Sequence, residues 1–264
     1  MRECEVGKPR RMREKRGLAW FTGVAILKPL LVTFTRHEWI DGTKLPAEGG
    51  CVIAANHMSH VDPITLAHIL YDHGRLPRFL AKDALFDLFF AGWVMRDTGQ
   101  IPVARLTSDA SSAFTHAVQG VKDGKAVIFY PEGTITRDPD LWPMVGKTGA
   151  ARVALESGVP VIPLAQWGQQ NILWPYGKKL KVVPPQKVHI KVGDPVDLDD
   201  LRGQTITPEV LREATDRIMA AITHLLEDLR GEQAPAERFD PKKQGVKEIG
   251  NPNKPDAGRS RKAE

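Results

Sequence analysis

From Gly49 onward, short apolar runs of strand length alternate with stretches of helical periodicity, and this alternation restricts the fold more than any other feature of the chain. It argues an α/β domain built on a largely parallel or mixed sheet. The spacing predicts strands over Cys51–Ala55, Phe79–Ala81, Ala126–Tyr130, Val159–Ala165 and Val188–Val192. It predicts helices over Pro63–Asp72, Ala84–Asp97, Ser108–Lys122, Thr148–Ser157 and Pro208–Arg230. The last helix has signals at both ends: Thr207 can cap it, Pro208 suits its first position and Gly231 stops it. With 264 residues there is enough chain for a sizeable core, and no internal repeat divides it.

The two ends differ in character from this middle. Residues 2–16 carry seven basic side chains against three acidic ones, and an apolar stretch follows from Leu18. The order suggests a signal peptide, but the basic run is long and no small-residue cleavage site follows. Lys28-Pro29 interrupts the apolar stretch well before the roughly 20 residues that a spanning helix needs. Leu18–Phe34 is therefore expected to lie on a membrane. Trp20, Phe21, Leu27, Leu30, Leu31 and Phe34 would enter the headgroup boundary while the upstream cations meet anionic lipid; the alternative is an ordinary helix packed on its own domain. Beyond Gly231 apolar residues nearly vanish, so residues 231–264 are expected to form a disordered tail. The expected organisation is a basic extension (1–16), a membrane-associating helical segment (17–36), a catalytic domain (37–230) and that tail.

The excess of 37 Lys and Arg over 32 Asp and Glu favours an anionic partner. Nucleic acid fits poorly, because the cations gather at the two ends and form no stripe on a recognition element. Two cysteines, Cys4 and Cys51, make neither a disulfide framework nor a zinc quartet, and Cys51 opens an apolar run as a packing residue would.

Three stretches carry chemistry. Cys51 to Pro63 reads as a buried strand that empties into a polar turn and then a proline-started helix. His57 thereby stands at a strand's C-terminal end, where α/β sheets usually bind ligands. Four residues separate His57 from Asp62, a spacing that says little alone and acquires meaning because the pair crosses a turn into a helix. The second pair so spaced, His189 and Asp194, would lie about 16 Å apart on opposite faces of an extended strand. Asp62 before Pro63 also has the signature of an N-cap, and one carboxylate oxygen can cap while the other orients an imidazole. A metal set of His57, His60 and Asp62 finds no further His/Cys cluster to complete it, and Ser59 lacks a nucleophile elbow.

In the second stretch, Tyr130-Pro-Glu-Gly-Thr134 follows a strand. Glu132 can accept from hydroxyls, Gly133 lets backbone approach a ligand, and Arg137 can pair with phosphate; a plain turn is the alternative. Gly146-Lys147-Thr148 nearby looks like the end of a phosphate-binding loop, but Leu141 stands where that motif needs glycine. The third stretch, Gly99 to Arg105, delivers an arginine after a short apolar run, suited to an anion or to open surface. Val159-Pro-Val-Ile-Pro-Leu164 is most simply a core strand interrupted by prolines.

In order and spacing, Asn56 to Asp62, Gly99 to Arg105, Tyr130 to Thr134 and Val159 to Pro163 resemble the four blocks of the glycerolipid acyltransferase family. The resemblance covers about residues 40–200 and implies a glycerol-3-phosphate acyltransferase-like fold, a mixed, mostly parallel sheet flanked by helices. It implies an acyl-CoA or acyl-carrier-protein donor, and as acceptor lysophosphatidic acid at the sn-2 hydroxyl. The expected location is the cytoplasmic face of the cell membrane, peripheral or monotopic. His57 matches the catalytic base, Asp62 its partner, Arg105 the phosphate-binding arginine, and Glu132, Gly133 and Thr134 the acceptor site. No cofactor or metal is called for. One departure stands out: where many members have an arginine directly after Glu-Gly-Thr, this chain has Ile135, with Arg137 two positions on. Glycerol 3-phosphate or another lysophospholipid as acceptor is the alternative, and so is a membrane-surface lipid-binding protein without turnover.

Overall fold

The computed structural model describes residues 10–12, 14–103, 110–248 and 250–252. In chain order its elements are α1 (Leu18–Phe34), β1 (Thr35–Ile40), β2 (Cys51–Ala55), α2 (Asp62–Asp72), β3 (Pro77–Lys82), α3 (Phe89–Asp97) and β4 (Ile101–Val103). Then follow α4 (Ala110–Lys122), β5 (Ala126–Phe129), α5 (Gly149–Ser157), β6 (Val161–Trp167), α6 (Gln169–Ile172), β7 (Gln186–Val192) and α7 (Pro208–Arg230). Among the described residues the strands form one sheet in the order β1-β7-β6-β2-β5-β3-β4. The five strands from β6 to β4 are mutually parallel, and β7, with β1 parallel to it, runs the other way. The mixed, mostly parallel sheet expected from the sequence is therefore present.

β2 shows why the sheet is covered on both faces. Its five residues are all buried, and successive side chains alternate between faces. Val52 and Ala54 pack with Ala150, Ala154 and Ile218 of α5 and α7, whereas Ile53 and Ala55 pack with Leu66, Ile69 and Leu70 of α2. From β2 the chain crosses to β3, beyond β5, and from β5 it returns to β6, on the far side of β2. The connections leaving two adjacent strands thus diverge, which opens a crevice at their C-terminal ends. His57 and the Tyr130–Thr134 turn both emerge there.

Several elements depart from the sequence expectation for physical reasons. β1 has no apolar run and owes its place to in-register backbone pairing with β7, from Thr35 opposite Gln186 to Ile40 opposite Lys191. The helix expected over Ala84–Asp97 is broken, and only Phe89–Asp97 is α-helical. A Cβ on Gly92 would stand 2.1 Å from the Phe86 carbonyl oxygen, so the glycine admits the chain's return there. β6 runs straight through Pro163. Residues 232–248, assigned from sequence to the disordered tail, instead lie against the domain: the Val145 amide donates to the Phe239 carbonyl at 3.0 Å, and Arg238 pairs with Asp216. Arg230, the last residue of α7, stacks between the rings of Trp142 and Trp167. No helix among the described residues is long and apolar enough to cross a membrane.

α1 is tied to the domain by polar contacts from its inner side. Asp97 accepts from the Ala19 amide at 2.8 Å, placing an anion at a helix N-terminus, and Gly17 leaves room for that carboxylate. Trp20 donates its indole N–H to the Thr98 carbonyl, so it faces inward and not outward as expected. Phe21, Leu27 and Leu30 are exposed, joined by Leu18, Ile26 and Val32. The neighbouring Leu88–Trp93 segment adds Leu88, Phe89 and Phe90, with Phe89 97% exposed.

Candidate active site

Asn56, directly after β2, fixes the rim of the sheet before any chemistry begins. Its side chain accepts from the Gln166 amide at 2.8 Å and donates to the Gln166 carbonyl at 3.1 Å, and Gln166 Nε2 donates to the Asn56 carbonyl at 3.0 Å. The next residue, His57, is held at both backbone groups. Its amide donates to Glu132 Oε1 at 2.9 Å, and its carbonyl accepts from the Thr136 amide at 2.7 Å. The imidazole stacks on Tyr130 with centroids 4.2 Å apart. Neither the backbone nor the ring of His57 is left to choose its own position.

Asp62 is fully buried, and its Oδ2 lies 2.8 Å from His57 Nδ1. The same oxygen accepts from the amides of Met58 at 2.6 Å and Ser59 at 2.8 Å. An oxygen already receiving two N–H donors is an acceptor toward the ring as well, so Nδ1 carries the proton and Nε2 the lone pair. This corrects the expectation of a cap. Asp62 is the first residue of α2 and its carboxylate turns back onto the preceding loop, while Val61 stands at the cap position without a side-chain bond. Ser59 is buried and donates to the Leu173 carbonyl, and His60 is exposed beside Tyr176.

The Glu-Gly-Thr turn serves differently from what its composition suggests. Glu132 is 2% exposed, with Oε1 on the His57 amide and Oε2 on the Met144 amide at 3.0 Å. It faces the protein and braces His57, and has no oxygen to offer a substrate hydroxyl. Burial pushes its carboxyl up to about 8 although both amide bonds oppose the shift. Gly133 adopts φ 72°, and a Cβ there would stand 3.1 Å from the Lys147 side chain, so glycine lets that lysine lie across the turn. Thr134 Oγ1 meets the Tyr176 hydroxyl at 3.1 Å.

The expected phosphate arginines fare unequally. Arg105 lies outside the described residues. Arg137 stacks on Tyr176 with 4.5 Å to the centroid, donates through Nε to the Lys247 carbonyl at 3.1 Å and also reaches the Gly250 carbonyl, so backbone of the C-terminal segment occupies it. Ile135 is 3% exposed and leaves no vacancy for a charged residue. An exposed cation does stand at the site, Lys147. In the sequence Lys147, Tyr130 and Asn56 were named only as members of longer stretches and given no role of their own, and Gln166 was missed, although it carried a signal as a polar residue inside an otherwise apolar strand.

His57, Gly133, Thr134 and Lys147 border a cavity of about 1560 Å³. From them it extends under α1 between α2 and α3, lined along the way by Leu31, Ile64, Ala67, Leu80, Val94 and Met95. Ligand pockets commonly measure about 300–1,000 Å³, so this one suits a long apolar occupant whose polar end reaches His57.

Residues 38–167 match the model of the acyltransferase family. A chloroplastic 1-acyl-sn-glycerol-3-phosphate acyltransferase of Brassica napus is 33% identical over 47% of this chain and 34% of its own length. A 1-acyl-sn-glycerol-3-phosphate acyltransferase of Bacillus subtilis is 32% identical over 59% of this chain and 71% of its own. The chain spans about a third of the length of the chloroplastic relatives it matches. Among solved structures, the 1-acyl-sn-glycerophosphate acyltransferase of Thermotoga maritima superposes with a TM-score of 0.60 at 24% identity, covering 80% of this chain and 79% of that one. The shared fold, the family match and the extent of the Bacillus likeness agree: the chain belongs to the acyltransferase family.

Proposed function

We propose that the protein transfers a fatty acyl group from acyl-CoA or acyl-carrier protein to the sn-2 hydroxyl of 1-acylglycerol 3-phosphate, forming phosphatidic acid. The observation that carries this reading is the 2.8 Å contact from His57 Nδ1 to buried Asp62, set at one end of a long apolar cavity. An alcohol is too weakly acidic to attack a thioester at neutral pH, so a base must take its proton as the C–O bond forms. Nε2 of His57 is that base, and Asp62 fixes the tautomer and stabilises the imidazolium. The C–S bond then breaks, and the departing thiolate recovers the proton from Nε2. The cavity under α1 takes acyl chain, and the phosphate lies against Lys147, with Arg105 as its second cation.

The exposed apolar side chains of α1 and Leu88–Phe90 support a membrane-surface protein that receives lipid sideways into the cavity. Phe89→Ser with Phe90→Ser should weaken partition onto anionic vesicles by about a hundredfold, following the apolar area removed; unchanged partition in a sedimentation assay would discard that face. The function itself is tested by thiol release from acyl-CoA. Release should require lysophosphatidic acid and yield phosphatidic acid, whereas release without acceptor would indicate hydrolysis. A second reading, another lysophospholipid or glycerol 3-phosphate as acceptor, is favoured by the engagement of Arg137 with the C-terminal segment. An acceptor panel with one donor separates the two.

A further inference from the structure

At the far end of α2 a second group of titratable side chains is packed together, and the acyl-transfer reading gives it no task. His68 and Asp72 lie four residues apart on one face of the helix, and His37 reaches them from β1. One ligand-type atom from each of the three lies within 4.8 Å of the others. His68 is 5% exposed, and its Nε2 stands 3.3 Å from Asp72 Oδ2 without making a hydrogen bond; His37 Nδ1 is likewise buried without a partner.

We propose that His37, His68 and Asp72 bind a divalent transition-metal ion of the zinc class, each through one side-chain atom. Two imidazoles and one carboxylate form a ligand set that such ions favour, and they leave a fourth position for water. Tetrahedral bonds of about 2.0–2.1 Å put ligand atoms some 3.4 Å apart, so side chains whose ligand atoms lie within 4.8 Å of one another need close by at most about 1.4 Å. An outer layer already orients them. The Trp39 indole donates to Asp72 Oδ2 at 3.1 Å, stacks on His37 and meets His68 edge-on. His68 and Lys28 border the large cavity, and Asp72 borders a smaller one beside Arg10 and Arg16, which gives an ion a path inward.

Positive charge around the site opposes the ion: Arg10 and Arg16 border the smaller cavity, and Lys28 touches Asp72 directly. Lys28 Nζ lies 2.6 Å from Asp72 Oδ1, but its side chain is 39% exposed and can swing into water. The site should therefore bind more tightly without Lys28, the reverse of what removing a merely structural salt bridge does. His68 and Lys28 share a wall of the cavity assigned to the acyl chain, but His68 lies six residues, about 9 Å along the helix, beyond Asp62, and ion binding is read without turnover, so its failure and that of the acyl-transfer reading are distinguishable.

The test is titration of the chelator-stripped full chain with Co²⁺ and Zn²⁺, followed by Co²⁺ visible absorption and equilibrium dialysis. One ion per chain is expected. His68→Gln and Asp72→Asn should each weaken binding by about tenfold or more, Lys28→Met should strengthen it severalfold, and His224→Gln, an exposed control, should leave it unchanged. Wild-type affinity in folded His68→Gln and Asp72→Asn overturns the proposal. Should both variants fail to fold, Lys28→Met decides: tighter binding upholds the site, and equal or weaker binding overturns it.

Discussion

At each end of helix α2 a histidine stands beside an aspartate, and the two pairs are held by different means. At its start, backbone groups do most of the holding: the amides of Met58 and Ser59 clamp Asp62, and the backbone of His57 is clamped between the Glu132 carboxylate and the Thr136 amide. At its end, side chains do the holding: Lys28 and Trp39 engage Asp72, and the rings of His37, Trp39 and His68 pack on one another. Backbone donors cost no side-chain entropy and leave one geometry, as the proposed base requires. A side-chain cluster can rearrange around what it binds.

That contrast can be broken by substitution, starting where the largest effect is expected. His57→Ala should lower acyl transfer by about 10³-fold or more while the circular-dichroism melt stays near wild type; appreciable residual turnover would remove His57 from the chemistry. Asp62→Asn should lower kcat by about 10²-fold with little change in KM, because the tautomer is lost and the pocket is not. A raised KM with kcat unchanged would instead mean that Asp62 only shapes binding. At the other end, Asp72→Asn should leave turnover within about twofold and cost roughly 1–3 kcal/mol of stability in denaturant titration, through lost bonds to Lys28 and Trp39.

The smallest effects concern pH. Glu132 is raised from an ordinary 4.5 to about 8, so the folded state binds the extra proton. Its contribution to stability is therefore present below 4.5 and is lost as pH rises through that window. His68 is lowered from 6.5 to about 4, so its contribution is lost as pH falls from 6.5 toward 4. Melting temperatures across pH should show both slopes, Glu132→Gln flattening the alkaline one and His68→Gln the acid one. Exchange of those assignments would refute the burial argument at both ends.

Legibility in the sequence followed the physics. β2 and α7 were predicted residue for residue, because a five-residue apolar run and a helix with Thr207 and Gly231 at its ends carry their limits locally. β1 was missed because its place depends on β7, about 150 residues away in the chain. At the site, His57 and Asp62 were found as a pair, but the direction of Glu132 was not. A carboxylate that braces a backbone amide and one that faces a substrate have the same sequence signature. The C-terminal segment was misjudged because it is held by carbonyls given to Arg137 and by a backbone bond to Val145, for which apolar content is no guide.

The sequence by itself determined the alternation that forces a covered parallel sheet, and it put an imidazole and a carboxylate within reach across a strand-to-helix bend. Tertiary structure alone decided which oxygen of Asp62 receives the ring, that Glu132 turns inward, that Arg137 is taken by the chain's own backbone, and that His37 joins His68 and Asp72. Those outcomes rest on contacts between residues far apart in the chain, where direction and burial decide, and neither is written in local pattern.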